Sequence, residues 1–214
     1  MTPKLVIFDC DGVLVDSEGP MAEVLAANLT RHGLPLAPAD VHRLFVGGTL
    51  DGVADRARAL GARLPEAWVA DTYVEIYARL REGVPPIPGV LDLISALDRA
   101  GVARWVASNG TMEKMRITLT PSGLWEMFDC RILSREGRRP KPAPDMVLAA
   151  MAGARVAPED TVMIDDSAAG CGSARAAGIA CLGFAAAGDG AALAATGARV
   201  VRSMAEVRSV LLGA

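Results

Sequence analysis

Six short apolar runs recur along the chain, at residues 5–8, 103–107, 130–133, 161–164, 179–184 and 199–201. The first, Leu5-Val6-Ile7-Phe8, carries no polar residue, as expected of a strand buried on both faces. Between the runs, apolar positions fall at helical spacing. In residues 89–100, Val90, Leu91, Ile94 and Leu97 share one side, and Gly101 supplies a stop. Strands alternating with helices predict βαβ units and a parallel sheet, hence an α/β fold.

One region breaks the alternation. From about Ser17 to about Arg81 no strand pattern is found. Met21, Val24, Leu25 and Leu29 predict an amphipathic helix stopped at Gly33, and further helical patterns follow at 40–45, 51–60 and 65–81. The stretch Gly83-Val84-Pro85-Pro86-Ile87-Pro88-Gly89 cannot continue a helix. The reading is a helical domain at 17–82 inserted into a core made of 1–16 and 83–214.

Composition narrows the class. At 214 residues a sizeable core forms without disulfides or structural metals. A net charge of −3 gives no reason to expect nucleic acid or an anionic membrane as partner. No signal peptide or membrane-spanning stretch is evident. Cys10, Cys130, Cys171 and Cys181 show no metal-binding spacing, and together these features lead to an expectation of a cytoplasmic protein with reduced thiols.

Chemistry enters at the ends of the runs. After the first stand Asp9-Cys10-Asp11-Gly12, two carboxylates at i, i+2 where open α/β sheets place their ligand sites. Asp-x-Asp-Gly is also an ordinary turn sequence. After the second run comes Ser108-Asn109-Gly110 before a helix from Thr111, which reads either as an anion site or as a plain helix cap. Lys141 sits between prolines in a chain with 19 arginines and only three lysines. It is either a fixed point charge or a solvated loop residue before a helix capped near Ala143. The run at 161–164 ends in Asp165-Asp166, a second acidic pair. Acidic pairs at two strand ends are costly unless a cation joins them, and hard oxygen donors without His or Cys point to Mg²⁺.

Taken together, Asp9-Cys10-Asp11-Gly12, Ser108-Asn109, Lys141 and Asp165-Asp166 resemble, in order and spacing, the motifs of the haloacid dehalogenase superfamily of phosphohydrolases. The inserted helical segment looks like the cap of the subgroup containing β-phosphoglucomutase and many sugar-phosphate phosphatases. The resemblance implies a Rossmann-like parallel sheet with helices on both faces. It implies a Mg²⁺-dependent phosphatase acting on small phosphorylated metabolites such as sugar or sugar-acid phosphates, and a monomer is expected. By the same resemblance, Asp9 is the nucleophile that becomes an aspartyl phosphate, and Asp11 is the acid/base. Mg²⁺ is held by Asp9, the Asp11 carbonyl and Asp166, with Asp165 a further ligand or a partner just behind. Ser108 and the Asn109 backbone hold phosphoryl oxygens, and Lys141 offsets charge between Asp9 and the phosphate.

The alternative within the subgroup is a sugar phosphomutase. Met21 appears where β-phosphoglucomutase carries a histidine, and the specificity loop looks like Val46-Gly47-Gly48-Thr49-Leu50, which lacks the usual basic residues. Arg43, Arg56 and Arg58 either compensate or form a solvated helix face. His32 and His42 are the only histidines, and structural or solvated roles are expected of both. Asp11 argues against a dehalogenase, and the absence of lysine from residues 17–81 argues against imine chemistry in the cap.

Overall fold

The computed structural model describes residues 2–45 and 50–213. The chain divides into two compact units, Met1–Val15 with Pro85–Ala214 and Asp16–Val84.

The second unit is helical: α1 (Glu18–Arg31), α2 (Pro38–Phe45), α3 (Leu50–Ala59) and α4 (Trp68–Arg81). Helix α2 begins earlier than its apolar spacing suggests, because proline is accommodated in a first turn, where its missing N–H has no intrahelical partner. Inside this unit Asn28 joins α1 to α4. Its side-chain oxygen accepts from Trp68 Nε1 at 2.6 Å, and its Nδ2 donates to Thr72 Oγ1 at 3.4 Å. All three residues are buried.

The first unit carries α5 (Val90–Arg99), α6 (Met112–Leu119), α7 (Leu124–Phe128), α8 (Asp145–Ala154), α9 (Ala168–Ala176), α10 (Ala191–Ala194) and α11 (Met204–Leu212). Its strands are β1 (Leu5–Phe8), β2 (Ala103–Ser108), β3 (Ile132–Ser134), β4 (Thr161–Asp165), β5 (Ala180–Phe184) and β6 (Arg199–Val201). Among the described residues they form one sheet in the order β3-β2-β1-β4-β5-β6, with every pairing parallel. Strand β3 starts two residues later than its apolar run. Asp129 adopts φ 50°, and Arg131 N turns back onto the Phe128 carbonyl at 3.0 Å.

All four side chains of β1 are fully buried, which accounts for its uninterrupted apolar pattern. Leu5 and Ile7 pack with Met146, Val147 and Ala150 of α8. Side chains alternate along a strand, so Phe8 points to the opposite face. There its ring meets Phe128 of α7 edge-on at 5.8 Å. Helices thus cover both faces of the sheet. Arg104 interrupts the apolar pattern of β2. Its guanidinium ion-pairs with Asp98, donates to the Met127 carbonyl at 2.9 Å and lies over the Phe128 ring.

The strand order reverses at β1, which has β2 on one side and β4 on the other. Sheets of this kind open a crevice at the carboxyl ends of the strands flanking such a reversal. No helix among the described residues is long and apolar enough to cross a membrane.

Candidate active site

The residues just past β1, β2, β3 and β4 converge at that crevice. Asp9 extends the ladder by one residue, its N–H donating to the Ile164 carbonyl at 2.9 Å. The chain then turns sharply. Leu14 N and Val15 N both donate to the Cys10 carbonyl, and Gly12 takes φ 74°. Gly12 is required twice over, because a Cβ there would also lie 1.9 Å from Asp166 Oδ2.

Lys141 sits at the centre. Its Nζ donates to Asp9 Oδ1 and to Asp165 Oδ2, each at 2.7 Å. The lysine is 6% exposed, Asp9 8% and Asp165 not at all, so these charges are resolved by one another rather than by water. The solvated-loop reading of Lys141 is therefore excluded. The backbone that carries Lys141 is held by Asn109, whose Oδ1 accepts from Lys141 N at 2.8 Å and whose Nδ2 donates to the Lys141 carbonyl at 3.3 Å. Helix α8 follows with its cap at Pro144, one residue beyond Ala143.

Asp165 is held on both oxygens. Opposite the Lys141 bond, Oδ1 accepts from Ser167 N at 2.9 Å and Ser167 Oγ at 2.7 Å. Ser167 is also the N-cap of α9, accepting from Gly170 N at 3.0 Å. A Cβ on Gly170 would lie 1.8–2.0 Å from the Asp165 carboxylate, so only glycine lets the helix come this close. Asp9, Asp165 and Asp166 offer carboxylate oxygens that lie within 4.8 Å of one another. Three carboxylates against one ammonium leave an excess of negative charge, and an all-oxygen donor set of this kind suits a hard divalent cation such as Mg²⁺.

Ser108 is almost fully buried at the end of β2, and its Oγ accepts from Gly110 N at 3.0 Å. Neither Ser108 nor Asn109 caps α6. Thr111 does so, accepting from Lys114 N at 3.1 Å, and Glu136 Oε2 accepts from Met112 N at 3.2 Å. The plain-cap reading of Ser108 and Asn109 thus fails.

Burial, opposed by Lys141 and reinforced by the charges of Asp165 and Asp11, pushes the Asp9 carboxyl up to about 7. Burial also works against the Lys141 ammonium, but the Asp165 and Asp9 carboxylates outweigh it and hold Lys141 above the usual lysine range. Desolvation lifts the Cys10 thiol well above its ordinary value, which makes it inert between the two aspartates.

Asp11 is not part of the three-carboxylate cluster. Its Oδ2 pairs instead with Lys114 Nζ at 2.8 Å. Lys114 is one of only three lysines, and the scarcity that singles out Lys141 is the signal that points to it as well. Ser167 and Gly170 lie in a stretch, 164–170, that resembles the same subgroup, but nothing local assigns either of them a role beyond that of any helix start. Arg43 pairs with Asp40 and Arg58 with Asp55 on exposed helix faces of the second unit. The residues 46–49, most of the expected specificity loop, and the side chain of His42 lie outside the described residues.

A family model described as haloacid dehalogenase-like hydrolase matches residues 3–178. Validoxylamine A 7'-phosphate phosphatase of Streptomyces hygroscopicus subsp. limoneus is 28% identical over 208 residues, covering 96% of each chain. Hexitol phosphatase A of Escherichia coli (strain K12) is 32% identical over 181 residues, covering 83% of this chain and 81% of that protein. Among solved structures, a HAD family hydrolase from Deinococcus radiodurans R1 with bound phosphate and sodium superposes with a TM-score of 0.88 at 32% identity, covering 99% of this chain and 96% of that one.

Proposed function

The chain belongs to the haloacid dehalogenase-like hydrolases, and on that premise we propose that it is a Mg²⁺-dependent phosphatase that hydrolyses phosphate monoesters of small metabolites through an aspartyl phosphate. The carrying observation is the Lys141 ammonium, 2.7 Å from both Asp9 and Asp165 inside a cluster of carboxylates. Phosphoryl transfer is mainly a matter of positioning and charge neutralisation, and this arrangement holds a nucleophile beside a fixed cation.

Asp9 attacks phosphorus while Asp11 gives its proton to the departing alkoxide, which leaves as the alcohol. Asp11, now a carboxylate, takes a proton from water. That water attacks the phosphorus of the aspartyl phosphate and frees Asp9 and inorganic phosphate. Ser108 and the Asn109 N–H hold phosphoryl oxygens, and Lys141 offsets the charge between Asp9 and the phosphate. Asp9, Asp166 and the Asp11 carbonyl would hold Mg²⁺, which would supply positive charge at the phosphoryl oxygens. Asp165 buttresses Lys141, since its two oxygens are already engaged by Lys141 and Ser167.

The inserted unit 16–84 acts as the cap that selects the substrate. The relatives named for validoxylamine A 7'-phosphate and for hexitol support phosphorylated sugars and sugar-like polyols as the substrate class. Hydrolysis rather than mutase chemistry is favoured by Met21 and by the absence of basic residues from positions 46–50. The free thiols of Cys10, Cys130, Cys171 and Cys181 suit a reducing cytoplasm.

A panel of phosphorylated metabolites assayed for inorganic phosphate identifies the substrate. Hexose 1- and 6-phosphate interconversion outrunning phosphate release would overturn hydrolysis. Asp11→Asn tests the chemistry. Expelling p-nitrophenolate hardly needs an acid, whereas splitting the phosphoenzyme needs a base. The variant should release at most one equivalent of nitrophenol per site in a burst, then turn over slowly, with the trapped phosphate on Asp9. Wild-type steady-state turnover, or phosphate on Ser108, would refute these roles.

A further inference from the structure

Lys114 occupies the first turn of α6, where its own N–H donates to the capping hydroxyl of Thr111. A cation is disfavoured there, because the helix dipole places positive potential at this end. The ammonium is nevertheless turned inward to Asp11 Oδ2 at 2.8 Å, with the side chains of Lys114 and Asp11 16% and 24% exposed. The same carboxylate oxygen lies over Gly110, where an added Cβ would be 3.7 Å from Asp11 Oδ2 and 3.3 Å from Ser108 Oγ.

The two lysines of the site sort its carboxylates. Lys141 takes Asp9 and Asp165, and Lys114 takes Asp11. Asp11 has two rotatable bonds and stands two residues from Asp9. A carboxylate so placed is attracted both to the buried Lys141 and to any cation held by Asp9 and Asp166. Either attraction would withdraw it from the leaving oxygen.

Resting on the phosphatase reading above, we propose that Lys114 is a positioning residue that keeps the Asp11 side chain away from Lys141 and the metal, so that it stands ready to protonate the leaving oxygen once the negative charge of the bound phosphate favours its protonated form. Lys114 acts through Asp11 and makes no demand on the substrate itself. Its loss should therefore scale with how much the leaving oxygen needs an acid.

The test uses the full-length protein with Mg²⁺ and three phosphate esters of increasingly basic leaving oxygen: p-nitrophenyl, phenyl and benzyl phosphate. Single-turnover phosphoenzyme formation is measured for the wild type, Lys114→Met and Lys114→Arg. Positioned acid–base catalysis contributes on the order of 10²–10⁴-fold. Lys114→Met should therefore lose less than about threefold on p-nitrophenyl phosphate and on the order of tenfold or more on benzyl phosphate, with KM little changed. Lys114→Arg keeps the charge and should recover most of the benzyl loss. In crystals of Lys114→Met grown with Mg²⁺, the Asp11 carboxylate should have left its place over Gly110. Equal losses on all three esters, a loss confined to KM, or an Asp11 carboxylate unmoved in those crystals would each overturn the inference. A wild type that forms phosphoenzyme from none of the esters would overturn the phosphatase reading itself, and the inference with it.

Discussion

Burial raises the Asp9 carboxyl to about 7 even with Lys141 beside it. A carboxyl raised in the folded state contributes stability that is present below its unfolded pKa of 3.8 and lost as pH rises through about 7. Asp9→Asn in chelator-treated protein should therefore unfold at a higher temperature than the wild type at pH 8. The advantage should grow between pH 4 and pH 7 and level off above. An advantage that shrinks over that window would show that Asp9 is not held above its ordinary value. The variant should have no turnover, which makes Asp9 a residue kept for chemistry at the expense of stability. Gly170 tests the neighbouring carboxylate. Alanine would gain about 1 kcal/mol in helix propensity. However, its Cβ would collide with the Asp165 carboxylate, whose atoms lie 1.8–2.0 Å from that position. Displacing one partner of a buried ion pair costs about 3–5 kcal/mol. Gly170→Ala should thus lower both the unfolding temperature and kcat, and a rise in unfolding temperature would count against the rigidity of the Lys141–Asp165 pair. At this scale the strand-end aspartates and Lys141 were legible, because a charge ending an apolar run stands out. Ser167 and Gly170 were not, because their demands come from Asp165, a side chain that their own helix start does not reveal.

Helices α1 and α4 show how an element depends on a partner far along the chain. Asn28 falls on the buried side of α1, where the apolar spacing leaves no place for a polar residue. Its role follows from Trp68, 40 residues later, whose indole N–H it accepts at 2.6 Å. Asn28→Leu should destabilise the protein by about 1–3 kcal/mol, the cost of stranding a buried donor. Trp68→Phe in the same chain should recover part of that loss, as a double-mutant cycle on chemical denaturation would measure. If Asn28→Leu proves neutral, the network carries no stability. Element boundaries moved for equally local reasons. Proline starts α2 before its apolar spacing begins, and the positive φ of Asp129 delays β3. Arg104 breaks the apolar pattern of β2 and is tolerated because Asp98, the Met127 carbonyl and the Phe128 ring receive it.

The whole molecule consists of two units joined where the chain crosses at residues 15–16 and 84–85. Within the first unit the two crossing segments lie side by side, with Ile87 N donating to the Leu14 carbonyl at 2.9 Å. Asp9, Asp11, Asp165 and Asp166 all belong to that unit. Adding Mg²⁺ to chelated protein should raise its unfolding temperature, by about 2.7 kcal/mol of linkage at a hundredfold excess over Kd, and should restore turnover. Hydrogen exchange with Mg²⁺ alone should slow around residues 9–12 and 165–170 and leave 16–84 unchanged. Equal protection of both units would overturn the assignment of the metal to this cluster. Zinc should restore turnover poorly, since the donors are all oxygen.

The parallel α/β core, the helical segment between its first two strands and the strand ends at which carboxylates gather are legible in the chain alone, because burial periodicity and charge placement are local properties. Which charge meets which emerges only on folding. Lys141 lies 132 residues from Asp9 and 24 from Asp165, and Lys114 lies 103 from Asp11. Such pairings arise when β1 is inserted between β2 and β4, an order that no local pattern encodes. The reversal at β1 brings these distant strand ends together in a region with little water, and desolvation there makes each partner matter.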